Sequence, residues 1–183
     1  TGYSVFANGG LRINPWLVSK VSEQRGKLLV ETAVPAVDEA NRAIEPRNAF
    51  LMSSLLQEVT RSGTAAKAQA TLKRPDVYGK TGTTNDSMDA WFAGYHPTLA
   101  AVTWIGYDTP RKLGDRETGG GLSLPVWISF METALRNTPI MEPDAPAGVV
   151  YLNNEWYFEE FSKGTGITAL GAGEKTLNSQ RQA

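Results

Sequence analysis

Within Val77-Tyr78-Gly79-Lys80-Thr81-Gly82-Thr83-Thr84 a cation, three threonine hydroxyls and two glycines fall inside eight residues. Lys80 supplies a compact ammonium with three donors, and Thr81, Thr83 and Thr84 can each donate one hydrogen bond and accept two. Such a set suits an anion. Gly79 and Gly82 are costly inside a strand, because glycine loses the most backbone entropy on ordering and packs nothing; their placement points to close approach by a ligand or a second backbone. The stretch therefore reads as a strand that forms a binding edge. Its plain alternative is a glycine-containing strand with a lysine that snorkels to water.

Little else in the chain offers chemistry. There is no cysteine, which excludes disulfides, thiolate catalysis and cysteine metal sites. The single His96 reads as a turn residue in Gly94-Tyr95-His96-Pro97-Thr98, so neither a zinc site nor any other cofactor is expected. Thr64-Ala65-Ala66-Lys67 imitates a Ser-x-x-Lys nucleophile motif but reads better as a helix N-cap threonine beside a solvated lysine. Ser4, Ser53, Ser54 and Ser87 have no lysine, histidine or carboxylate at an activating spacing. Trp91, Trp104 and Tyr107 are expected as core or cleft-wall aromatics, and Gly119, Gly120 and Gly121 as a cleft rim or a plain flexible loop.

The elements around these residues follow from periodicity. Tyr3 to Ala7 before Asn8-Gly9-Gly10 reads as the last turns of a helix with a glycine cap, a helix expected to begin before residue 1. Residues 12–21 and 27–34 suggest a hairpin across 22–26, followed by a polar surface connection over 35–45. Pro46 suits the first turn of a helix, and Met52, Leu55, Leu56 and Val59 predict its buried stripe. Gly63 ends that helix, and residues 64–70 suit a short alanine-rich one. Residues 77–84, 88–95 and 99–107, joined by short loops, predict an antiparallel meander whose last strand, apolar on both faces, belongs mid-sheet. A helix over 124–136 should bury Trp127, Phe130, Met131, Ala134 and Leu135. Two domains of structure are expected: residues 1–140, and an extended segment 141–183. The latter holds a hairpin of 149–152 with 155–158 and a mobile tail from Lys163.

The whole is 183 residues with a formal charge of −1 and 41% hydrophobic residues, ordinary for a soluble domain of α/β or α+β type. Without a surplus of positive charge, neither nucleic acid nor an anionic membrane surface is an expected partner. No run approaches the roughly twenty apolar residues of a transmembrane helix.

Several blocks resemble, in order and spacing, the class A penicillin-binding proteins. They are Tyr3-Ser4-Val5-Phe6-Ala7-Asn8-Gly9-Gly10, Gly79-Lys80-Thr81-Gly82-Thr83-Thr84-Asn85-Asp86, Asp89-Ala90-Trp91-Phe92-Ala93-Gly94-Tyr95 and Trp104-Ile105-Gly106-Tyr107-Asp108. Leu113-Gly114, Glu117-Thr118-Gly119-Gly120 and Leu124-Pro125-Val126-Trp127 extend the likeness to about residue 137. The resemblance implies the later half of the transpeptidase fold, an antiparallel sheet flanked by helices. It implies a serine acyltransferase that crosslinks peptidoglycan stem peptides ending in D-alanyl-D-alanine and is acylated by β-lactams. It assigns Lys80 to the electrostatics of proton transfer, Thr81 and Thr83 to the substrate carboxylate, and the Thr83 N–H to the oxyanion hole. Gly82 and Thr84 continue the substrate-binding strand. No Ser-x-x-Lys and no Ser-x-Asn occurs here, so the nucleophile is expected upstream, and the upstream half of the domain becomes an expected partner. The resemblance also implies a membrane-anchored parent on the periplasmic side of a bacterial inner membrane, carrying a glycosyltransferase as well. The alternative is a binding module of the same fold that holds the peptide or a β-lactam without acyl transfer.

Overall fold

Three strands over residues 78–105 set the frame. In the computed structural model, which describes residues 1–34 and 38–162, Tyr78–Thr83 (β3), Ala90–His96 (β4) and Leu99–Ile105 (β5) form an antiparallel sheet in that order. Before it come Gly2–Ala7 (α1), the hairpin Lys20–Ser22 (β1) with Leu28–Glu31 (β2), Pro46–Arg61 (α2) and Lys67–Leu72 (α3). Ser123–Ala134 (α4) follows it.

The register pairs Tyr78 with Tyr95, Gly82 with Trp91, and Trp91 with Trp104. Side chains two apart share a face, so Tyr78, Lys80 and Gly82 lie on one side and Gly79, Thr81 and Thr83 on the other. The first face is covered at one end by α1 and α2, where Leu56, Tyr78 and Tyr95 bury with Tyr3 and Phe6 around them. Tyr78 and Tyr95 stack at 4.9 Å between centroids, and the Ser53 hydroxyl lies 2.6 Å from the Tyr95 hydroxyl. Burial pushes that phenol up to about 12. The second face carries the larger core: Ala65, Ala68, Val77 and Phe92 against Leu124, Trp127, Ile128, Met131 and Leu135.

The two amphipathic helices are partly rotated from their expected faces: Leu56, Trp127, Met131 and Leu135 are buried as expected, but other members of each stripe are not. In α2 the buried residues are Ala49, Ser53, Leu56 and Thr60, while Met52 and Leu55 are exposed. Small and hydroxyl-bearing residues win that face because the helix lies close on the sheet, and Thr60 Oγ1 donates to the Val77 carbonyl at 2.6 Å. In α4 the buried set is Ser123, Leu124, Trp127, Ile128 and Met131, with Phe130 and Ala134 exposed. Strand β5 is an edge among the described residues rather than central: Ala100, Val102 and Trp104 are exposed. The β1–β2 hairpin is shorter than its apolar runs suggest; residues 12–17 are irregular, with Pro15 unable to donate in a ladder. Asn8 and Gly10 close α1 by donating to the Ser4 and Val5 carbonyls, with Gly9 and Gly10 at positive φ.

The chain divides into two compact parts after Asp144. In the second, Val149–Leu152 (β6) pairs antiparallel with Glu155–Phe158 (β7), and Asn153 and Asn154 turn the hairpin with φ of 52° and 66°. The tail expected from Lys163 lies outside the described residues. Among the described residues no helix is long and apolar enough to cross a membrane.

Candidate functional site

Among the described residues strand β3 is paired on one edge only, by β4, so every second backbone group faces outward. The Thr84 N–H donates to the Asp89 carbonyl at 3.1 Å, which fixes the alternation: residues 84, 82, 80 and 78 point their backbone groups toward β4. Thr83, Thr81 and Gly79 therefore point theirs to the free edge. The outward N–H of Thr83 stands beside two hydroxyls and an ammonium. Lys80 starts on the opposite face, and its chain curls round the edge until Nζ donates to the Thr81 carbonyl at 3.0 Å and to Thr81 Oγ1 at 3.2 Å. Thr83 and Lys80 are exposed, Thr81 and Gly82 half-buried.

Two segments hold the threonines from the core side. The Gly119 N–H donates to Thr83 Oγ1 at 3.1 Å, and Thr64 Oγ1 lies 2.9 Å from Thr81 Oγ1. Gly119 rests directly on the β3–β4 ladder: a Cβ there would come within 2.2 Å of the Trp91 carbonyl oxygen and 2.5 Å of that of Gly82. Glycine is thus required for contact, and the loop is seated rather than loose. Its backbone continues into α4, with Ser123 and Leu124 N–H donating to the Gly119 carbonyl. On the other face a Cβ on Gly82 would lie 3.2 Å from Trp91 Cβ, so Gly82 keeps that indole close to the strand. Thr84 Oγ1 accepts from the Asp89 N–H at 2.8 Å, and Asp89 Oδ1 accepts from the Trp104 indole at 2.9 Å. Thr84 thereby braces the turn rather than facing the open edge.

Sequence reading missed the group that anchors β3 and β4. His96 is the last residue of β4 and wholly buried, not a turn residue. Thr98 N–H donates to its Nδ1 at 3.2 Å, which leaves the proton on Nε2, 3.0 Å from Asp76 Oδ2. Arg74 grips the same carboxylate through Nε at 2.9 Å and Nη2 at 2.7 Å, and also donates to the Thr138 and Pro139 carbonyls. Burial, seconded by the Arg74 guanidinium, holds His96 below its usual pKa against the pull of Asp76. Burial by itself would raise Asp76, yet Arg74 and the Met141 N–H hold it below the usual carboxylate range. Only the spacing Arg74-x-Asp76 hinted at this pair.

Thr64 is not an N-cap, since α3 starts after Ala66 and has no side-chain cap. Ser53 is committed to Tyr95, and Ser4 donates to the Thr1 carbonyl. No cluster of three or more His, Asp or Glu suited to a metal occurs among the described residues.

The family model described as the penicillin binding protein transpeptidase domain matches residues 1–132. Penicillin-binding protein 1A of Neisseria flavescens is 43% identical over 160 residues, 87% of this chain and 20% of that protein. Its counterpart in Pseudomonas aeruginosa is 34% identical over 82% of this chain and 24% of its own length. The crystal structure of penicillin-binding protein 1A from Haemophilus influenzae superposes with a TM-score of 0.73 at 31% identity, covering 81% of this chain and 27% of that one. Penicillin-binding protein A of M. tuberculosis, solved as an imipenem acyl-enzyme, superposes with a TM-score of 0.53 at 26% identity over 73% of this chain and 29% of its own. The chain thus spans about a fifth of the length of the curated relatives it matches.

Proposed function

This chain belongs to the penicillin-binding protein transpeptidase domain family, and from that premise we propose that it forms one wall of a peptidoglycan D,D-transpeptidase whose nucleophilic serine lies in a preceding part of the same protein. The observation that carries the reading is the free edge of β3, which presents the Thr83 N–H, the Thr81 and Thr83 hydroxyls and Lys80 Nζ together.

A stem peptide ending in D-alanyl-D-alanine lies antiparallel along that edge, its carboxylate received by the two hydroxyls and the nearby ammonium. When the serine oxygen attacks the penultimate carbonyl, negative charge gathers on the carbonyl oxygen. A fixed N–H such as that of Thr83 stabilises it without reorganisation, worth about 3 kcal/mol per donor. The C–N bond breaks, the terminal D-alanine leaves as an amine after taking a proton, and an acyl-serine remains. The amine of a second stem peptide then attacks that ester and releases the serine. In a β-lactam the broken amide nitrogen stays tethered to the acyl group, so the product persists. Lys80 lowers the cost of charge during proton transfer at the serine. Gly82 and Thr84 act indirectly, one by close packing on Trp91 and one by bracing the turn after the strand. Residues 1–140 form the later half of the transpeptidase domain and 141–183 an extension. The parent is membrane-anchored on the periplasmic side and carries a glycosyltransferase as well.

The test is the complete protein incubated with benzylpenicillin, then digested and mapped by mass spectrometry. One covalent adduct on a serine preceding Thr1, and none within residues 1–183, is the expected result. An adduct on a serine of this chain overturns the assignment of the nucleophile. Reversible occupancy without an adduct favours a binding module of the same fold.

A further inference from the structure

We propose that Thr64 is a positioning residue for the β3 site, donating its hydroxyl proton to Thr81 Oγ1 so that the Thr81 proton is aimed outward at the substrate carboxylate. This rests on the reading of β3 given above. A threonine hydroxyl has one proton and two lone pairs. Lys80 Nζ occupies one lone pair of Thr81 Oγ1 at 3.2 Å; Thr64 Oγ1 lies 2.9 Å away, where either hydroxyl can supply the proton, and in the proposed arrangement Thr64 supplies it and fills the other lone pair. With both filled, the Thr81 O–H is left to donate, and its remaining direction is the open edge. Without Thr64 the hydroxyl is free to turn, and alignment must be bought during binding.

Thr64 is held stiffly enough for this task. The turn between α2 and α3 is drawn tight at Gly63, where a Cβ would lie 2.9 Å from Val59 Cα, and is pinned by the wholly buried Ala65, whose N–H donates to the Val59 carbonyl. Gly120 closes over it from the other side: a Cβ there would stand 3.2 Å from the Thr64 carbonyl oxygen and 3.7 Å from Thr81 Cγ2. The hydroxyl caps no helix, and the oxygen of Thr81 is its hydrogen-bond partner. Thr64 and Gly119 thus act in parallel, each directing one of the two threonine hydroxyls of the strand.

The experiment measures second-order acylation of the complete protein by a carboxylate-bearing fluorescent penicillin and by its methyl ester. Thr64→Val should slow acylation by the acid by about tenfold, the scale of one hydrogen bond to a charged group, and leave the slower reaction of the ester nearly unchanged. Thr64→Ser should restore the acid rate. Thr64→Ala, which only removes atoms from an exposed side chain, replaces valine should that variant fail to fold. Equal slowing with acid and ester, without rescue by serine, overturns the proposal in favour of a packing role. A Thr64→Val rate equal to wild type, while Lys80→Ala is severely slowed, overturns the role of Thr64 and leaves the site reading standing. A Lys80→Ala variant that reacts normally overturns both.

Discussion

Gly119 has no room for a methyl group. Its would-be contacts are backbone atoms of Trp91 and Gly82, which have no side-chain freedom with which to yield. Gly119→Ala must therefore lift the loop, breaking the N–H bond to Thr83 Oγ1 and releasing that hydroxyl. We expect a loss of stability of about 1–3 kcal/mol, as for other overpacked contacts, together with slower β-lactam acylation; a thermal melt and an acylation time course check the two separately. Gly120→Ala, whose tightest contact is 3.2 Å, should do both more mildly. This glycine run was legible as a motif, but its role was not. Nothing in Thr118-Gly119-Gly120-Gly121 tells which glycine lies on a sheet.

Among elements, the start of β3, the end of β4 and the segment after α4 are tied by Arg74, Asp76 and His96. Arg74→Ala leaves the wholly buried Asp76 without its cation and several carbonyls without a donor, so a loss of about 3–5 kcal/mol is expected by chemical denaturation. The pH dependence has a definite sign. His96 is held below its unfolded value of 6.5, so at lower pH the unfolded chain takes up a proton that the folded one refuses. Its contribution is complete above about pH 6.5 and is lost as pH falls toward the depressed folded value. Asp76, held below 3.8, adds stability that is complete above that value and lost as pH falls through its own folded pKa. The melting temperature should therefore decline from about pH 6.5 downward, and His96→Gln should flatten the first part of that decline. A slope unchanged by His96→Gln would show that this imidazole does not titrate with unfolding.

For the whole molecule, the notable feature is apolar surface that the described residues leave uncovered. Val102 is 56% exposed and Leu55 64%, with Trp91, Trp104 and Met52 exposed as well. Trp91 and Trp104 adjoin, their ring centroids 5.9 Å apart, and adjoining exposed apolar groups of this size mark a contact surface. In the proposed transpeptidase the rest of the domain covers the outer face of β5. The chain expressed alone should then bind a hydrophobic dye and self-associate. Val102→Lys should reduce both while shifting its stability by no more than about 0.5 kcal/mol, the usual range for a surface change. In the complete protein the same substitution should lower the melting temperature. Dye binding that Val102→Lys leaves unchanged would locate the adhesive surface elsewhere.

The sequence by itself determined the meander and the residue types gathered on β3. Period-two alternation, short turns and the run from Lys80 to Thr84 are local signals, and hydrogen-bond chemistry belongs to residue type. The likeness that led to the family was also legible, because the blocks carrying it are contiguous. Tertiary structure alone decided which faces are buried. In α2 close contact with the sheet favoured Ala49, Ser53 and Thr60 over Met52 and Leu55, since a helix pressed onto strands needs small residues between. It likewise gave β5 an edge position among the described residues, because an apolar run says that its faces can be buried and not how many strands flank it. Finally, it brought Thr64 to Thr81 and His96 to Asp76, pairs 17 and 20 residues apart. Periodicity describes a side chain's neighbours along one element, and carries no information about which side chain meets it from the next.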